Sequence, residues 1–169
     1  LEQAVVEAEG YDLIVMGRPE GSGCYCAANT LLTQYLDRLV NNYPYVVIDN
    51  EAGMEHISRL TTNNIDLLLI VSDASRRGVL SAGRIQELAD DLTLNIDRKA
   101  FVVNMAKEDQ AETLESLARE YGLDLAGLVP EDENVTQADL QGKPTVGLEP
   151  ESRSLKAAFD IFDHLLDAA

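Results

Sequence analysis

Two cysteines, Cys24 and Cys26, are the side chains of this sequence best suited to binding a transition metal. Residues i and i+2 of an extended segment point to the same side, so both thiolates can face one ion. A closed thiolate site for zinc takes about four ligands, and a two-fold dimer would supply the other sulfurs from a second chain. The alternative is a pair of small buried residues, since free cysteine often packs like a core hydrophobe. Gly21 and Gly23, just before the pair, favour an exposed turn and hence the metal site.

A second chemical pattern follows the apolar run Tyr45–Ile48. Asp49 ends this run, and Gly53 comes four residues later. In Walker B and switch II elements, a strand-end carboxylate reaches Mg²⁺ through water, and such a glycine N–H faces the γ-phosphate. The alternative is that Asp49 or Asn50 caps a following helix. Walker A loops need Lys followed by Ser or Thr, and the lysines of this chain are followed by Ala, Glu, Pro and Ala. The chain therefore contains no such loop.

The elements that would position these residues alternate along the chain. Amphipathic patterns at positions 31–40, 79–92, 114–121 and 155–166 predict helices. The order of elements predicts a single α/β domain over residues 1–169, with a mostly parallel sheet flanked by helices. Ligands bind beyond the carboxyl ends of the strands in such sheets. The predicted strands are apolar runs without polar alternation, typical of strands buried on both faces: Leu13–Met16, Tyr45–Ile48, Leu67–Val71, Ala100–Val103 and Leu123–Val129.

Three further segments carry local signals. Leu1, Ala4, Val5 and Ala8 have helical spacing, which predicts a helix ended by a glycine at position 10. A chain that opens without Met inside a predicted helix is typical of a piece of a longer protein. Arg76 and Arg77 follow a polar strand end and predict the charged start of a helix, the alternative being that they face a nucleotide or a dimer partner. The stretch Asp139–Pro150 carries two Gly and two Pro and predicts a surface connection.

Composition excludes several classes of function. Apolar residues make up 46% of the chain, which excludes wholesale disorder. Asp and Glu total 30 against 13 Lys and Arg, a net charge of −17, which argues against nucleic acid and anionic membrane as partners. No apolar run approaches the roughly 18 residues of a membrane span. Two cysteines fit a reducing cytosol, so we expect a cytoplasmic location.

Four segments together resemble the CooC-type nickel-insertion ATPases. These are accessory proteins of carbon monoxide dehydrogenase, related to MinD and ParA. Gly17–Asn29, with its Cys-Tyr-Cys core, and Val46–His56 resemble the metal-binding and switch II segments. Phe101–Asn104 resembles the strand whose terminal Asn reads adenine, and Gly127–Val135 resembles the loop whose Pro and acidic residue line the base. The resemblance covers nearly the whole chain, and its most specific part is the Cys-Tyr-Cys segment.

The resemblance implies a MinD-like P-loop NTPase fold and a homodimer formed around bound nucleotide. It implies ATP or ADP with Mg²⁺ as cofactor, Ni or Zn held by paired cysteines at the dimer interface, and ATP turnover coupled to nickel delivery into apo carbon monoxide dehydrogenase. Each matching position carries one implied role: Cys24 and Cys26 as metal ligands, Asp49 as the Mg²⁺-linked catalytic acid, Gly53 at the γ-phosphate, and Asn104, Pro130 and Glu131 around the adenine.

One departure from the family pattern changes the expected activity. The P-loop strand and its lysines would precede Leu1, so the resemblance implies a fold whose first strand is missing here. We expect the chain by itself to bind ATP weakly, not to hydrolyse it, and to pair its uncovered strand edges with another chain. Two other hypotheses stay open: a MinD/ParA-like ATPase with another cargo and inert cysteines, and a non-catalytic metal-binding or dimerisation module.

Overall fold

The computed structural model describes residues 5–15, 42–50, 64–92, 94–148 and 152–167. The chain divides into two compact units, Leu1–Asn63 and Asn64–Ala169, which are described separately below as the first and second units. The organisation as a single domain over residues 1–169 stays a prediction.

The first unit contains a β-hairpin. Strand β1 (Val5–Ala8) pairs antiparallel with β2 (Tyr11–Ile14), with Ala8 opposite Tyr11. The connecting turn is Glu9–Gly10, and Gly10 has a φ of +88°, a conformation that glycine adopts without steric cost. The phenol of Tyr43 donates a hydrogen bond to the Asp12 carboxylate.

Two sequence predictions for this unit are wrong. The helix predicted from Leu1 to Ala8 is a strand at Val5–Ala8, because the β-branched Val5 and Val6 favour a strand and Gly10 serves a hairpin turn. The predicted strand Leu13–Met16 is seen as β2, which pairs antiparallel within the hairpin rather than in a parallel sheet.

The predicted strand Tyr45–Ile48 is also wrong, because residues 45–50 form neither helix nor strand. An apolar run becomes a strand only where a neighbouring strand accepts its backbone hydrogen bonds. None of the described strands pairs with this run. Its side chains are exposed, Val47 to 91%.

The second unit contains a three-stranded parallel sheet in the order β3–β4–β5. Its helices alternate with the strands, as the sequence predicts. In chain order the elements are β3 (Asn64–Asp73), α1 (Arg76–Asp91), β4 (Asn95–Ala106), a 3₁₀ turn (Glu108–Gln110), α2 (Ala111–Glu120), β5 (Leu125–Pro130), α3 (Glu133–Leu140), a second 3₁₀ turn (Thr145–Gly147) and α4 (Arg153–Asp167).

Helices cover both faces of this sheet. Ile70 and Phe101, register partners on β3 and β4, pack with α1 and α2 side chains such as Val79 and Leu114 in the hydrophobic core. Leu128 of β5 also packs against that core. Gly127, its neighbour on the strand, therefore faces the other side. There a Cβ at position 127 would come within 2.5 Å of the Ile161 side chain of α4, so glycine lets this helix pack closely on β5.

The predicted fold class is confirmed, with particular differences in the second unit. The three central strands and the helices α1, α2 and α4 lie where the sequence places them, although β3 and β4 extend further than their apolar runs. Helix α3 is a correction, because residues 139 and 140 of the predicted connection close this helix. Its signal is Asp132, whose side chain caps the first turn by accepting a hydrogen bond from the Asn134 N–H at 2.9 Å. The predicted helix at residues 31–40 lies outside the described residues.

Candidate functional site

Strand β3 ends in a carboxylate that lies over the start of α1. Asp73 Oδ1 accepts hydrogen bonds from the Ser75 amide at 3.0 Å and the Ser75 hydroxyl at 2.6 Å. Ser75 in turn caps α1 by accepting from the Gly78 N–H at 3.0 Å. These bonds from Ser75, aided by the Arg77 charge, lower the pKa of Asp73 from its ordinary value. The helix start predicted at Arg76 is confirmed, and it leaves Asp73 as a fixed anion.

Strand β4 ends in an irregular segment that displays Asn104. In the β3–β4 register Asn104 lies beside Asp73, and the pairing with β5 shifts between Val103 and Ala106. Met105 within this shift has a φ of +56°, which is uncommon for a residue other than glycine. Its amide donates to Asn104 Oδ1 at 2.9 Å. In the described part of the chain the Asn104 amide nitrogen makes no further hydrogen bond, so it can donate to a ligand.

Strand β5 ends in a turn that is held by its backbone. Pro130 lies opposite Ala106 in the register of the sheet. The Glu131 N–H donates to the Ala106 carbonyl at 3.0 Å, and the Glu131 carbonyl accepts from Arg153 Nε at 3.0 Å. Both backbone groups of Glu131 are therefore occupied, while its side chain is exposed and can face a ligand.

Asp132, the next residue, joins the starts of two helices. Its Oδ1 caps α3, while its Oδ2 accepts from the Ser152 hydroxyl at 2.7 Å and the Ser154 amide at 3.3 Å at the start of α4. The three residues are 9%, 1% and 8% exposed. The Ser152 hydrogen bond, followed by those from the Asn134 and Ser154 amides, lowers the pKa of Asp132 to about 2. The carboxylate is thus a buried anion stabilised by two helix N-termini.

The structure brings some of the predicted site residues together and leaves others apart. Asn104, Pro130 and Glu131 meet at the carboxyl edge of β4 and β5, as adjacent parallel strands require. Asp49 belongs to the first unit, where it is exposed within residues 45–50, which form neither helix nor strand. Cys24, Cys26 and Gly53 lie outside the described residues. Among the residues that are described, no three His, Cys, Asp or Glu side chains group closely enough to hold a metal ion.

Sequence reasoning missed three residues of this edge. Asp73 lies three residues before the first residue of α1, and Asp132 lies directly before α3. The Asp-x-Ser and Asp-x-Asn spacings are local signals that could have identified both residues as caps. Arg153 has no local signal, because its partners Glu131 and Glu108 lie 22 and 45 residues away in sequence.

The described edge belongs to a fold shared with nucleotide-dependent ATPases. A ParA family ATPase from Chlorobium tepidum TLS superposes with a TM-score of 0.71 at 21% identity, covering 98% of this chain and 68% of that one. The MinD cell division protein of Aquifex aeolicus superposes with a TM-score of 0.67 at 20% identity, covering 80% of this chain and 59% of that one. The chain therefore has the α/β fold of the MinD and ParA ATPases.

Sequence comparison finds proteins with higher sequence identity to this chain than these two structures have. The chain is 41% identical over 165 residues to an uncharacterized ATP-binding protein of Methanocaldococcus jannaschii, covering 98% of this chain and 65% of that protein. It is 34% identical over 155 residues to the carbon monoxide dehydrogenase accessory protein CooC of Rhodospirillum rubrum, covering 90% of this chain and 58% of that protein. The septum site-determining protein MinD of Bacillus subtilis is 25% identical over 173 residues, with coverage of 98% and 64%.

The chain is thus similar in sequence to these ATP-binding, CooC and MinD proteins, and it spans less than two thirds of their length. No protein-family model matches it. Within the described ranges, no helix is both long and apolar enough to cross a membrane.

Proposed function

We propose that this chain forms the base-binding part of a MinD/ParA-like ATPase, with adenine held at the carboxyl edge of β4 and β5. The observation that carries the proposal is the meeting of Asn104, Pro130 and Glu131 at that edge, in a chain related to ATP-binding proteins. The donor set fits a base, because the Asn104 amide nitrogen can donate to a ring nitrogen and the Glu131 carboxylate can accept from an exocyclic amine. Pro130 offers an apolar surface for the ring.

The charge of this edge favours the base over the phosphates. Asp73, Glu108 and Glu131 all lie at the carboxyl edge, Asp73 as the last residue of β3 and the other two in the turns after β4 and β5. Glu108 is paired with Arg153 and Arg77 lies near Asp73, but a triphosphate here would still meet the Glu131 carboxylate, which forms no ion pair among the described residues. The adenine ring is neutral and meets no such repulsion. ATP supplies the phosphoryl-transfer chemistry when bound. In our proposal Asp49 holds the Mg²⁺ through water and Gly53 approaches the γ-phosphate, while Asn104 and the Pro130–Glu131 turn orient the base.

We further propose that the whole protein is a nickel-insertion ATPase of the CooC type, acting in the cytoplasm. The 34% identity to the CooC protein and the Cys-Tyr-Cys segment support this proposal. Cys24 and Cys26 of two chains would hold one Ni or Zn ion, with nickel as the cargo for apo carbon monoxide dehydrogenase. Paired thiolates are suitable soft ligands for either metal, and the two chains together supply the four sulfurs of a closed site.

A second candidate is a MinD/ParA-like ATPase with another cargo, in which the cysteines are inert. It is favoured by the relatives at 41% and 36% identity, which are named only as ATP-binding proteins. Metal binding separates the two candidates. Under the nickel proposal, titration with Ni²⁺ or Zn²⁺ gives one ion per two chains, together with a doubling of mass in sedimentation.

The metal proposal is tested with single and double Cys24→Ser and Cys26→Ser variants. The double variant is expected to bind no ion and to form a weaker dimer, because no other cysteine exists in the chain. Thiolates must be deprotonated to bind, so affinity should fall as the pH is lowered. Full metal stoichiometry in the double variant would contradict the site, as would one ion per wild-type monomer without a change of mass.

The base site is tested with Asn104→Leu and a matched control on the same strand. Asn95 opens β4 at the opposite edge of the sheet, where its amide donates to the Asn64 side chain at 3.3 Å. Asn104→Leu should weaken binding of a fluorescent ATP analogue about fivefold or more, whereas Asn95→Leu should leave binding unchanged. Because the chain has no Walker A lysine, we expect wild-type affinity for ATP to be far weaker than micromolar. Equal effects of the two substitutions would remove Asn104 from the site.

A further inference from the structure

Arg153 connects the first turn of α4 to two loops at the carboxyl edge of the sheet. Its Nε donates to the Glu131 carbonyl at 3.0 Å, and one of its terminal nitrogens pairs with Glu108 Oε1 at 2.8 Å. Glu131 belongs to the turn after β5, and Glu108 to the 3₁₀ turn after β4. One guanidinium therefore links the two loops that border Asn104.

The solvent exposure of Arg153 distinguishes a role in folding stability from a role in fixing the Glu131 backbone. The side chains of Arg153 and Glu108 are 57% and 85% exposed, so their ion pair is screened by solvent and adds little to folding stability. The bond to the Glu131 carbonyl is different in kind, because it fixes a backbone group. Together with the Glu131 N–H bond to Ala106, it holds the peptide units on both sides of Glu131.

Hydrogen bonds hold the start of α4 in place, so the backbone of Arg153 has a fixed position. The neighbouring Ser152 and Ser154 are both bonded to the buried Asp132 carboxylate, which also caps α3. Within the described residues, no buried side-chain polar atom is left without a hydrogen-bond partner. A satisfied buried network of this kind orders the backbone that it connects. The guanidinium therefore holds the Pro130–Glu131 turn in a fixed position relative to the start of α4.

We propose that Arg153 is a positioning residue for the nucleotide base: through the Glu131 carbonyl it holds the Pro130–Glu131 turn at the distance from Asn104 that adenine requires. This inference rests on the proposed adenine site. Arg153 acts through the turn and makes no contact with the ligand itself. Among the described residues, no other group donates to the Glu131 carbonyl.

Four variants of the chain separate this role from ion pairing and from general stability. Arg153→Gln removes both contacts. Arg153→Lys keeps the charge near Glu108 but removes the guanidinium Nε donor. Glu108→Gln removes only the ion pair. Arg76→Gln is the matched control, since Arg76 makes a similarly exposed pair with Glu120 at 3.0 Å and no hydrogen bond to the Pro130–Glu131 turn.

The measurement is the dissociation constant of each variant for ATP, GTP and inorganic tripolyphosphate, obtained by titration with a spectroscopic readout. Loss of one positioning hydrogen bond should weaken ATP binding about fivefold in Arg153→Gln and Arg153→Lys. Binding of tripolyphosphate should not change, so the preference for ATP over GTP falls by the same factor. Glu108→Gln and Arg76→Gln should retain the wild-type preference.

The outcomes also distinguish this inference from the adenine site on which it rests. A wild-type chain without any preference for ATP over GTP would overturn the adenine site, and the role of Arg153 with it. A wild-type preference that persists in Arg153→Gln and Arg153→Lys would overturn the role of Arg153 alone. Weakening of ATP and tripolyphosphate by the same factor would show a general structural effect and would likewise refute base positioning.

Discussion

Replacement of Gly78 by Ala should destabilise the protein, although the same change within a helix is ordinarily stabilising. Gly78 lies in the first turn of α1, and Ala is favoured over Gly in helices by about 1 kcal/mol. A Cβ at position 78 would overlap Asp73 Oδ1 and lie 3.0 Å from the Asp73 carbonyl oxygen. The carboxylate would have to leave its place over the helix start.

The magnitude follows from the contacts that this movement breaks. Asp73 would lose its bonds from the Ser75 amide and hydroxyl, each worth about 1 kcal/mol at this exposed position. It would also lose up to about 1 kcal/mol of interaction with the N-terminus of α1. After subtraction of the gain in helix propensity, we expect a net loss of about 2 kcal/mol.

The assay is urea unfolding followed by far-UV circular dichroism, which reports the free energy of unfolding. Ser81→Ala is the matched control, because Ser81 is exposed on the same helix and carries no cap. The control should be neutral or stabilised by a few tenths of a kcal/mol. Stabilisation of Gly78→Ala by about 1 kcal/mol, equal to its intrinsic propensity gain, would refute the close packing of Asp73 on α1.

Three further results are expected. The pKa of Asp132 is lowered to about 2 from 3.8, so the stability that its ionised form contributes is present above pH 4 and is lost as the pH falls through 2. The free energy of unfolding of Asp132→Asn should therefore depend less steeply on pH between pH 4 and 2. Leu114→Ala, at 1% exposure in the core, should cost about 2–5 kcal/mol in urea unfolding. Gly127→Ala should cost about 1–3 kcal/mol, because the new methyl group meets the Ile161 side chain at 2.5 Å, and Ile161→Ala in the same chain should recover part of the packing loss. The Asp132 network would be contradicted by equal acid sensitivity of wild type and Asp132→Asn. The core position of Leu114 would be contradicted by a neutral Leu114→Ala. The contact between positions 127 and 161 would be contradicted by strictly additive costs of the two substitutions.

The strands and most helices of the second unit could be predicted closely, because the apolar pattern of each segment determines its structure locally. Strands buried on both faces need continuous apolar sequence, and Leu67–Val71 and Ala100–Val103 supply it at the centre of β3 and β4. The polar ends of these strands carry no apolar signal, so the prediction stopped short of Asp73 and Ala106. Helix α3 has little apolar patterning and depends on the Asp132 cap, which explains why composition pointed to a connection instead.

The first unit was harder to predict because its elements depend on partners. Val5–Ala8 has spacing compatible with a helix, but its β-branched residues favour a strand, and it pairs with the neighbouring Tyr11–Ile14. Tyr45–Ile48 has the composition of a buried strand, yet residues 45–50 are exposed and are not paired with any described strand. Whether an apolar run such as Tyr45–Ile48 becomes a strand depends on a pairing partner, which the run itself does not specify.

The candidate site shows the same division between local and distant causes. The position of Asn104, Pro130 and Glu131 at one edge was predictable, because the ends of neighbouring parallel strands lie together. Arg153 was not, since its bond to Glu131 depends on how α4 packs back on the sheet. The roles of Asn104, Pro130 and Glu131, like those of Cys24, Cys26, Asp49 and Gly53, stay predictions.

The location of the adenine site can be tested by mapping ATP onto the backbone amides of the isotope-labelled chain by NMR. The account predicts that the amides of Asn104, Met105 and Glu131 shift in proportion to added ATP, and that tripolyphosphate at the same concentration leaves them in place. Amides at the opposite edge of the sheet, such as that of Asn95, should not move with either ligand. ATP-dependent shifts confined to residues away from the carboxyl edge, or shifts at that edge reproduced in full by tripolyphosphate, would contradict an adenine site at the ends of β4 and β5.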